Sequence, residues 1–172
     1  MGDNLYFAGL IGSGKTTLGR RVSQVLQREV LDLDEVMDAR LGYSFHRLVA
    51  EQGWLAFREL EYELCKEFAR RSQAVICLGG GTVRYRWNLD AIAGSGRVIL
   101  LEVSLDELVR RVQTADRPRV NPGTDLAADL RMLWETHREK YYRSADLFYR
   151  AEGKSLETET RDLVEIVRER GW

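Results

Sequence analysis

The stretch FAGLIGSGKTTLG, residues 7–19, joins an apolar run to a helical pattern through closely spaced glycines. It satisfies the spacing G-x-x-x-x-G-K-S/T in full, from Gly9 through Gly14 and Lys15 to Thr16. Glycines let the backbone turn sharply and approach a ligand closely, and the helix that follows contributes its positive N-terminal end. The stretch therefore predicts a phosphate-binding loop, or P-loop, that binds a nucleoside triphosphate.

The same stretch supplies the residues expected to contact ATP, namely Gly12, Ser13, Gly14, Lys15, Thr16 and Thr17. Lys15 is placed to reach the β- and γ-phosphates, and the Thr16 hydroxyl is placed to ligate Mg²⁺. An ordinary glycine-rich turn before a helix is the alternative. The predicted strand before the loop and the amphipathic helix after it favour the P-loop, because the motif requires that context.

The composition is typical of a globular chain, and its 172 residues fit a single domain over residues 1–172. A net charge of −1 provides no global basic field that would attract nucleic acid or an anionic membrane. The N-terminal segment has neither a basic leader nor an apolar run long enough to span a bilayer, so we expect a cytoplasmic protein. The only cysteines, Cys65 and Cys77, lack metal-ligand spacing and are predicted to fill the core.

Short apolar runs alternate with helical periodicity along the chain. The predicted strands are residues 4–9, 29–34, 74–80, 97–103 and 146–151, of which 29–34 is the weakest. Helical stripes follow the P-loop, Trp54, Leu105 and Leu126, and a last helix is expected over 158–170. This alternation indicates an α/β fold with three αβα layers around a five-stranded parallel sheet. Ligands of such sheets bind at the carboxyl ends of the strands.

Two aspartates lie where the weak strand at 29–34 is predicted to end. Asp32 and Asp34 alternate there, so their carboxylates share one face and are candidates for a metal shell and a substrate hydroxyl. The alternative is that Asp34 only caps a helix beginning at Glu35. Close approach of the backbone to a ligand is also expected after the next strand, which ends in Gly79, Gly80 and Gly81.

Charged residues mark two further segments. Arg58 and Glu61 are spaced i, i+3 on a predicted helix and could pair with each other, the alternative being an ordinary surface ion pair. Residues 114–125 contain both prolines of the chain, which is typical of a mobile loop. Arg117 and Arg119 on that loop could close over phosphates as a lid, and an inert linker is the alternative.

In chain order these segments read GLIGSGKTT, DLD, FRELE, GGG, DRP and REKYY. The series resembles the shikimate kinases, P-loop kinases whose fold is similar to that of the nucleoside monophosphate kinases. The resemblance covers essentially the whole chain. The chain departs from residues common in the family at Trp54, Leu78, Arg119, Lys140 and Tyr141.

For the nucleotide side, the resemblance implies Thr16 as the direct Mg²⁺ ligand and Asp32 as the residue that holds the water shell of the metal. It also implies Arg117 as the lid arginine, which with Lys15 neutralises charge on the phosphoryl group. Arg110 matches the position at which the family packs a cation on adenine.

For the acceptor side, the resemblance implies that Asp34 binds the ring hydroxyls of shikimate and helps to deprotonate the attacking one. Arg58 and Arg138 match the pair that binds the shikimate carboxylate, with Glu61 orienting Arg58. The Gly79–Gly81 backbone would contact a hydroxyl. The substrate-binding helical segment is expected at about 34–61.

The activity implied by the resemblance is transfer of the ATP γ-phosphoryl group to the 3-hydroxyl of shikimate, with Mg²⁺ as cofactor. Lys15, Asp34 and Arg117 are the expected catalytic residues. One alternative is a kinase of another hydroxylated acid, such as gluconate or quinate, and another is a nucleotide-binding regulatory module without turnover. We expect a monomer, since no predicted helix leaves a large apolar face uncommitted.

Overall fold

The computed structural model describes residues 3–112, 120–121 and 123–172. Its sheet contains five parallel strands in the order β2-β3-β1-β4-β5. The strands are β1 Asn4–Ala8, β2 Val30–Asp32, β3 Val75–Cys77, β4 Gly96–Glu102 and β5 Leu147–Arg150. The predicted five-stranded parallel sheet is confirmed. Four strands lie inside the expected runs, and β4 begins one residue before its run.

Seven α-helices and one short 3₁₀ helix connect the strands in the described part of the chain. The α-helices are α1 Lys15–Leu26, α2 Leu33–Leu41, α3 Phe45–Phe68, α4 Arg86–Ile92, α5 Leu105–Val112, α6 Leu126–Ser144 and α7 Leu156–Glu169. The 3₁₀ helix, Thr82–Arg84, follows the glycines after β3.

Successive side chains of β1 enter two different cores, one on each face of the sheet. Leu5 and Phe7 pack with residues of α1 and α7, including Leu18 and Leu163. Tyr6 and Ala8 pack on the other face, with residues of α2, α3 and α6. The near-continuous apolar character of this strand follows from that double burial, and the three-layer αβα arrangement is confirmed.

The helix expected from Trp54 onward begins nine residues before it, at Phe45. Ser44 caps it by accepting a hydrogen bond from the His46 backbone N–H at 3.3 Å. At Gly53 the backbone leaves the helical region, with φ 83° and ψ 175°, so α3 contains a kink. This kink breaks the helical period, which explains why the sequence pattern indicated only the second half.

Both cysteines are free and buried, as predicted. Burial raises the pKa of Cys77 to about 12 and raises the pKa of Cys65 further, so both remain uncharged thiols. Among the described residues, no helix is both long enough and apolar enough to cross a bilayer.

One edge of the sheet collects the segments that the sequence singled out. The P-loop follows β1, Asp32 ends β2, and the glycines at 79–81 follow β3. Because β1 lies between β3 and β4, the chain reverses its direction across the sheet beside this strand. Such a switch point at the carboxyl edge forms a crevice in which ligands bind.

Candidate functional site

The P-loop occupies residues 9–14, between β1 and α1. Gly12 and Gly14 have φ angles of 82° and 90°, a conformation that residues with a side chain rarely adopt. A Cβ on Gly12 would also lie 2.8 Å from the side chain of Val112. The sharp loop predicted from the motif is therefore present, and it leads directly into the N-terminus of α1.

Lys15 lies over the loop that precedes it. Its Nζ donates to the carbonyl oxygens of Gly9 and Leu10 at 2.9 and 3.0 Å, and it lies 3.5 Å from Ser13 Oγ. These contacts place the ammonium group at a cavity that we call the P-loop cavity. Its polar lining includes Gly12, Ser13, Gly14, Lys15, Thr16, Thr17, Asp32, Asp34 and Arg111. All six P-loop residues expected to contact ATP therefore share one cavity.

Thr16 and Asp32 meet in the P-loop cavity, with Thr16 Oγ1 donating to Asp32 Oδ2 at 2.6 Å. A hydroxyl and a carboxylate oxygen side by side suit Mg²⁺, which takes few protein ligands and keeps waters and phosphate oxygens as the rest. Within residues 3–112, 120–121 and 123–172, no group of three or more His, Cys, Asp or Glu side chains could hold a metal. The donor set thus fits a metal that arrives with a nucleotide.

Asp34 lies in the first turn of α2 and not at the end of a strand, so that expectation was wrong. The alternative, in which Asp34 caps a helix, was also wrong, because Asp32 is the cap. Asp32 Oδ1 accepts from the N–H groups of Asp34 and Glu35 at 3.1 and 3.3 Å. This capping lets the chain pass from β2 into α2 without an intervening loop.

A second cavity lies beside the P-loop cavity, and we call it the arginine cavity. Its polar lining includes Asp34, Arg58, Glu61, Gly79, Gly80, Gly81, Arg84 and Asp129. Among the described residues, only Ile11, Asp34 and Gly80 line both cavities. A carboxylate therefore stands at the junction where a ligand of one cavity would meet a ligand of the other.

Arg58 and Glu61 form a buried ion pair in this cavity, so the alternative of a surface pair was wrong. Their side chains are 10% and 0% exposed. Arg58 Nη1 donates to both Glu61 oxygens at 2.9 and 2.8 Å. Glu61 also accepts from Thr82 Oγ1 at 2.7 Å and from Asn88 Nδ2 at 2.9 Å. The carboxylate is thus fully used in fixing Arg58 and the segment after the glycines.

Aromatic rings hold the Arg58 guanidinium from several sides. Its Cζ lies 4.6 Å from the Tyr85 ring centroid, 4.7 Å from that of Phe57 and 5.3 Å from that of Trp54. Its Nε is buried and has no hydrogen-bond partner among the described residues. Trp54, a departure from the family pattern, therefore contributes to positioning this arginine.

Tyr141, another departure, supports the glycine segment from α6. It is fully buried, and its hydroxyl donates to the carbonyl oxygen of Gly80 at 2.6 Å. Burial raises its pKa to about 12, so the hydroxyl keeps its proton at neutral pH. The tyrosine thus anchors the glycine that lines both cavities.

Arg84 lines the arginine cavity, although no sequence motif drew attention to it. Its position three residues after Gly81 is the only signal that could have found it. By contrast, Arg138 is on the exposed face of α6 and is not among the lining residues, and its predicted contact with the acceptor stays a prediction.

The arginines predicted to contact the nucleotide are not found among the described residues that line the P-loop cavity. Arg110 is exposed and pairs with Glu107, so its adenine contact stays a prediction. Its neighbour Arg111 lines the P-loop cavity and donates to the Gly12 carbonyl oxygen at 3.2 Å. Arg117, Arg119 and most of the expected lid at 114–125 lie outside the described residues.

Comparisons with known proteins identify relatives of this chain. A sequence model of a family described as "Shikimate kinase" matches residues 11–168. The shikimate kinase of Chlorobium luteolum is 34% identical over 176 aligned positions, covering 95% of this chain and 87% of the relative. That of Moorella thermoacetica is 33% identical, covering 98% of this chain and 96% of the relative.

A solved structure shows the same fold. The shikimate kinase from Acinetobacter baumannii, in complex with shikimate, matches with a TM-score of 0.92. The match covers 99% of this chain and 95% of that one at 22% identity. At that identity the likeness concerns the fold, and it agrees with the three-layer arrangement described above.

Proposed function

Since the chain belongs to the shikimate kinase family, we propose that it transfers the γ-phosphoryl group of ATP to the 3-hydroxyl of shikimate. The observation that carries this proposal is the junction of the two cavities, which Asp34 lines on both sides. A phosphate donor over the P-loop and an acid held by Arg58 would meet at this carboxylate. Positioning of that kind is the main requirement of phosphoryl transfer.

The reaction forms one bond and breaks another. The acceptor hydroxyl oxygen bonds to the γ-phosphorus while the bond to the oxygen bridging the β- and γ-phosphates breaks, so ADP leaves and the hydroxyl proton is released. Asp34, which lines both cavities, would align that hydroxyl and accept its proton. Lys15, in the P-loop cavity, stabilises the charge on the phosphoryl oxygens.

Mg²⁺ would be held by Thr16 Oγ1, with Asp32 orienting its water ligands. When bound, the ion would offset the negative charge of the ATP phosphates. The two side chains already lie in hydrogen-bond contact, so little rearrangement is needed for both to serve one ion. The roles of Thr16 and Asp32 stay proposals, as does that of Arg117.

Arg58 would bind the carboxylate of the acceptor. A guanidinium fork meets a carboxylate with parallel hydrogen bonds, and this one is fixed by Glu61 and three aromatic rings before any ligand arrives. Its buried Nε is a donor that no described residue uses. Pre-organisation of this kind lowers the entropy lost on binding.

Changing Arg58 to lysine is expected to raise KM for shikimate about 10- to 100-fold while changing kcat little, since charged hydrogen bonds contribute about 1.5–3 kcal/mol each. Lysine keeps a positive charge beside buried Glu61, so the variant should fold. Steady-state kinetics with shikimate varied at saturating Mg·ATP measures the effect. Arg47→Lys, on the exposed face of the same helix, is the matched control. An unchanged KM for shikimate in Arg58→Lys would remove Arg58 from the acceptor site.

A coupled ADP-release assay with Mg·ATP tests the proposed function directly. Shikimate, quinate, gluconate and no acceptor are compared at equal concentration. We expect release only with shikimate. ADP release with another acid would show that the chain is a kinase of that acid and not of shikimate. ATP binding without acceptor-dependent ADP release would favour the regulatory module.

The monomeric state and the cytoplasmic location predicted from the sequence also remain proposals. Sedimentation equilibrium of the purified chain would give its mass in solution, for which the proposal expects the 19.8 kDa of one chain.

A further inference from the structure

Arg84 is a second buried arginine of the arginine cavity, and it ends the 3₁₀ helix after the glycines. Only 7% of its surface is exposed. Among the described residues it has no ion pair, and its one hydrogen bond runs from Nε to the Gly81 carbonyl oxygen at 3.4 Å. A buried cation is unfavourable without a counter-charge, so this side chain calls for an anionic partner.

The carboxylates nearest to the arginine cavity are engaged elsewhere. Glu61 is saturated by Arg58, Thr82 and Asn88, as described above. Asp129 is 2% exposed, and its oxygens accept from the N–H groups of Val120 and Asn121 at 3.0 and 2.9 Å. The third carboxylate, Asp34, stands at the junction with the P-loop cavity. The cavity therefore presents two guanidiniums, of which only Arg58 has a carboxylate partner among the described residues.

The glycine segment makes room for Arg84. A Cβ on Gly81 would lie 2.3 to 2.9 Å from the guanidinium atoms of Arg84, so any larger residue would force this side chain away. The Tyr85 ring contacts both arginines, with the Arg84 Cζ at 5.8 Å and the Arg58 Cζ at 4.6 Å from its centroid. One ring thus lies near both cations that line the cavity.

We propose that Arg84 is a further arginine that binds the carboxylate of the acceptor, beside Arg58. This inference rests on the proposed function. Two guanidiniums in the lining of one cavity favour an acidic acceptor over a neutral polyol of the same size. Arg84 is therefore a specificity-determining residue, and its contribution is binding of the carboxylate and not transfer of the phosphoryl group.

The test compares kcat/KM for shikimate with kcat/KM for its methyl ester, in which the carboxylate charge is removed. We expect the wild-type chain to prefer the acid, and we expect Arg84→Gln to reduce that preference about tenfold or more, as loss of a charged hydrogen bond predicts. KM for ATP and kcat with shikimate should change little. A role in folding alone would lower both activities together and leave the preference unchanged.

Further variants keep the test decisive. Arg84→Lys retains the buried charge, so it should fold even if Arg84→Gln does not fold. Its preference for the acid over the methyl ester should lie between those of the wild type and Arg84→Gln. Arg86→Gln removes an arginine whose side chain is 91% exposed, and it should leave the preference unchanged. Arg138→Gln examines the arginine that the sequence predicted for this contact.

The outcomes separate this inference from the proposed function. A reduced preference in the Arg84 variants supports the assignment. An unchanged preference in both Arg84 variants, in a wild-type chain that phosphorylates shikimate, overturns it and leaves the proposed function intact. A reduced preference in Arg138→Gln alone assigns the contact to Arg138. No turnover of shikimate by the wild-type chain overturns both.

Discussion

Lys15→Ala is expected to lower kcat by about 10³-fold or more, since loss of one fixed donor to a developing oxyanion already costs about 10²–10³-fold. Lys15 is the cation that the P-loop aims into its own cavity, through contacts with the Gly9 and Leu10 carbonyl oxygens. The charge on the phosphoryl oxygens rises as the bridging bond breaks. Alanine therefore removes an interaction that strengthens in the transition state, and the loss falls mainly on kcat.

Single-turnover kinetics with excess enzyme measures this effect without interference from product release. Lys66→Ala, which removes an exposed lysine of α3 paired with Glu63, should retain wild-type rates. Circular dichroism of Lys15→Ala should match the wild type, because the buried core does not include this side chain. A kcat within about tenfold of the wild type in a folded Lys15→Ala would contradict its assigned role.

Asp34→Asn is expected to lower kcat by about 10²–10³-fold, which lies within the range of about 10²–10⁴-fold for a positioned general base. Asparagine has nearly the same shape and keeps a hydrogen bond to the acceptor hydroxyl, but it cannot take up a proton. KM for ATP should therefore change little, and KM for shikimate should change far less than kcat. A large fall in kcat with little change in either KM would indicate that Asp34 transfers a proton and does not merely bind the hydroxyl.

The adjacent acid provides the matched control. Glu35 lies in the same turn of α2, is exposed, and pairs with Arg20 on the surface. Glu35→Gln makes the same change of charge without altering the lining of either cavity, so its kcat should equal that of the wild type. If Asp34→Asn retained full kcat, the junction carboxylate would not be the base, and released protons would pass directly to solvent.

Local motifs of this chain could be recognised from the sequence because local geometry determines them. The P-loop needs glycines at positions with positive φ, such as Gly12 and Gly14, followed at once by a helix. The buried run of β1 likewise indicated a strand covered on both faces. The segments after β1, β2 and β3 meet at one edge simply because parallel strands end together.

The burial and partners of the site residues could not be predicted in the same way. Arg58 and Glu61 look like a surface pair at i, i+3 spacing, and only Thr82 and Asn88, brought in from beyond β3, complete the buried network. Arg84 enters the cavity because Gly81 leaves room for it. The network around Glu61 joins distant segments, and so does the lining of the cavity that Arg84 enters. Such contacts leave no period or motif in the sequence.

The position of the phosphate on the product tests the central claim most directly. Shikimate and Mg·ATP are incubated with the chain, and ³¹P–¹H correlation NMR identifies the hydroxyl that has been phosphorylated. We predict a phosphomonoester on the 3-hydroxyl alone, formed in equal amount to ADP, because Arg58 and Asp34 in their proposed roles would hold the acceptor in one orientation. Phosphate spread over several hydroxyls, or inorganic phosphate in place of an ester, would contradict it.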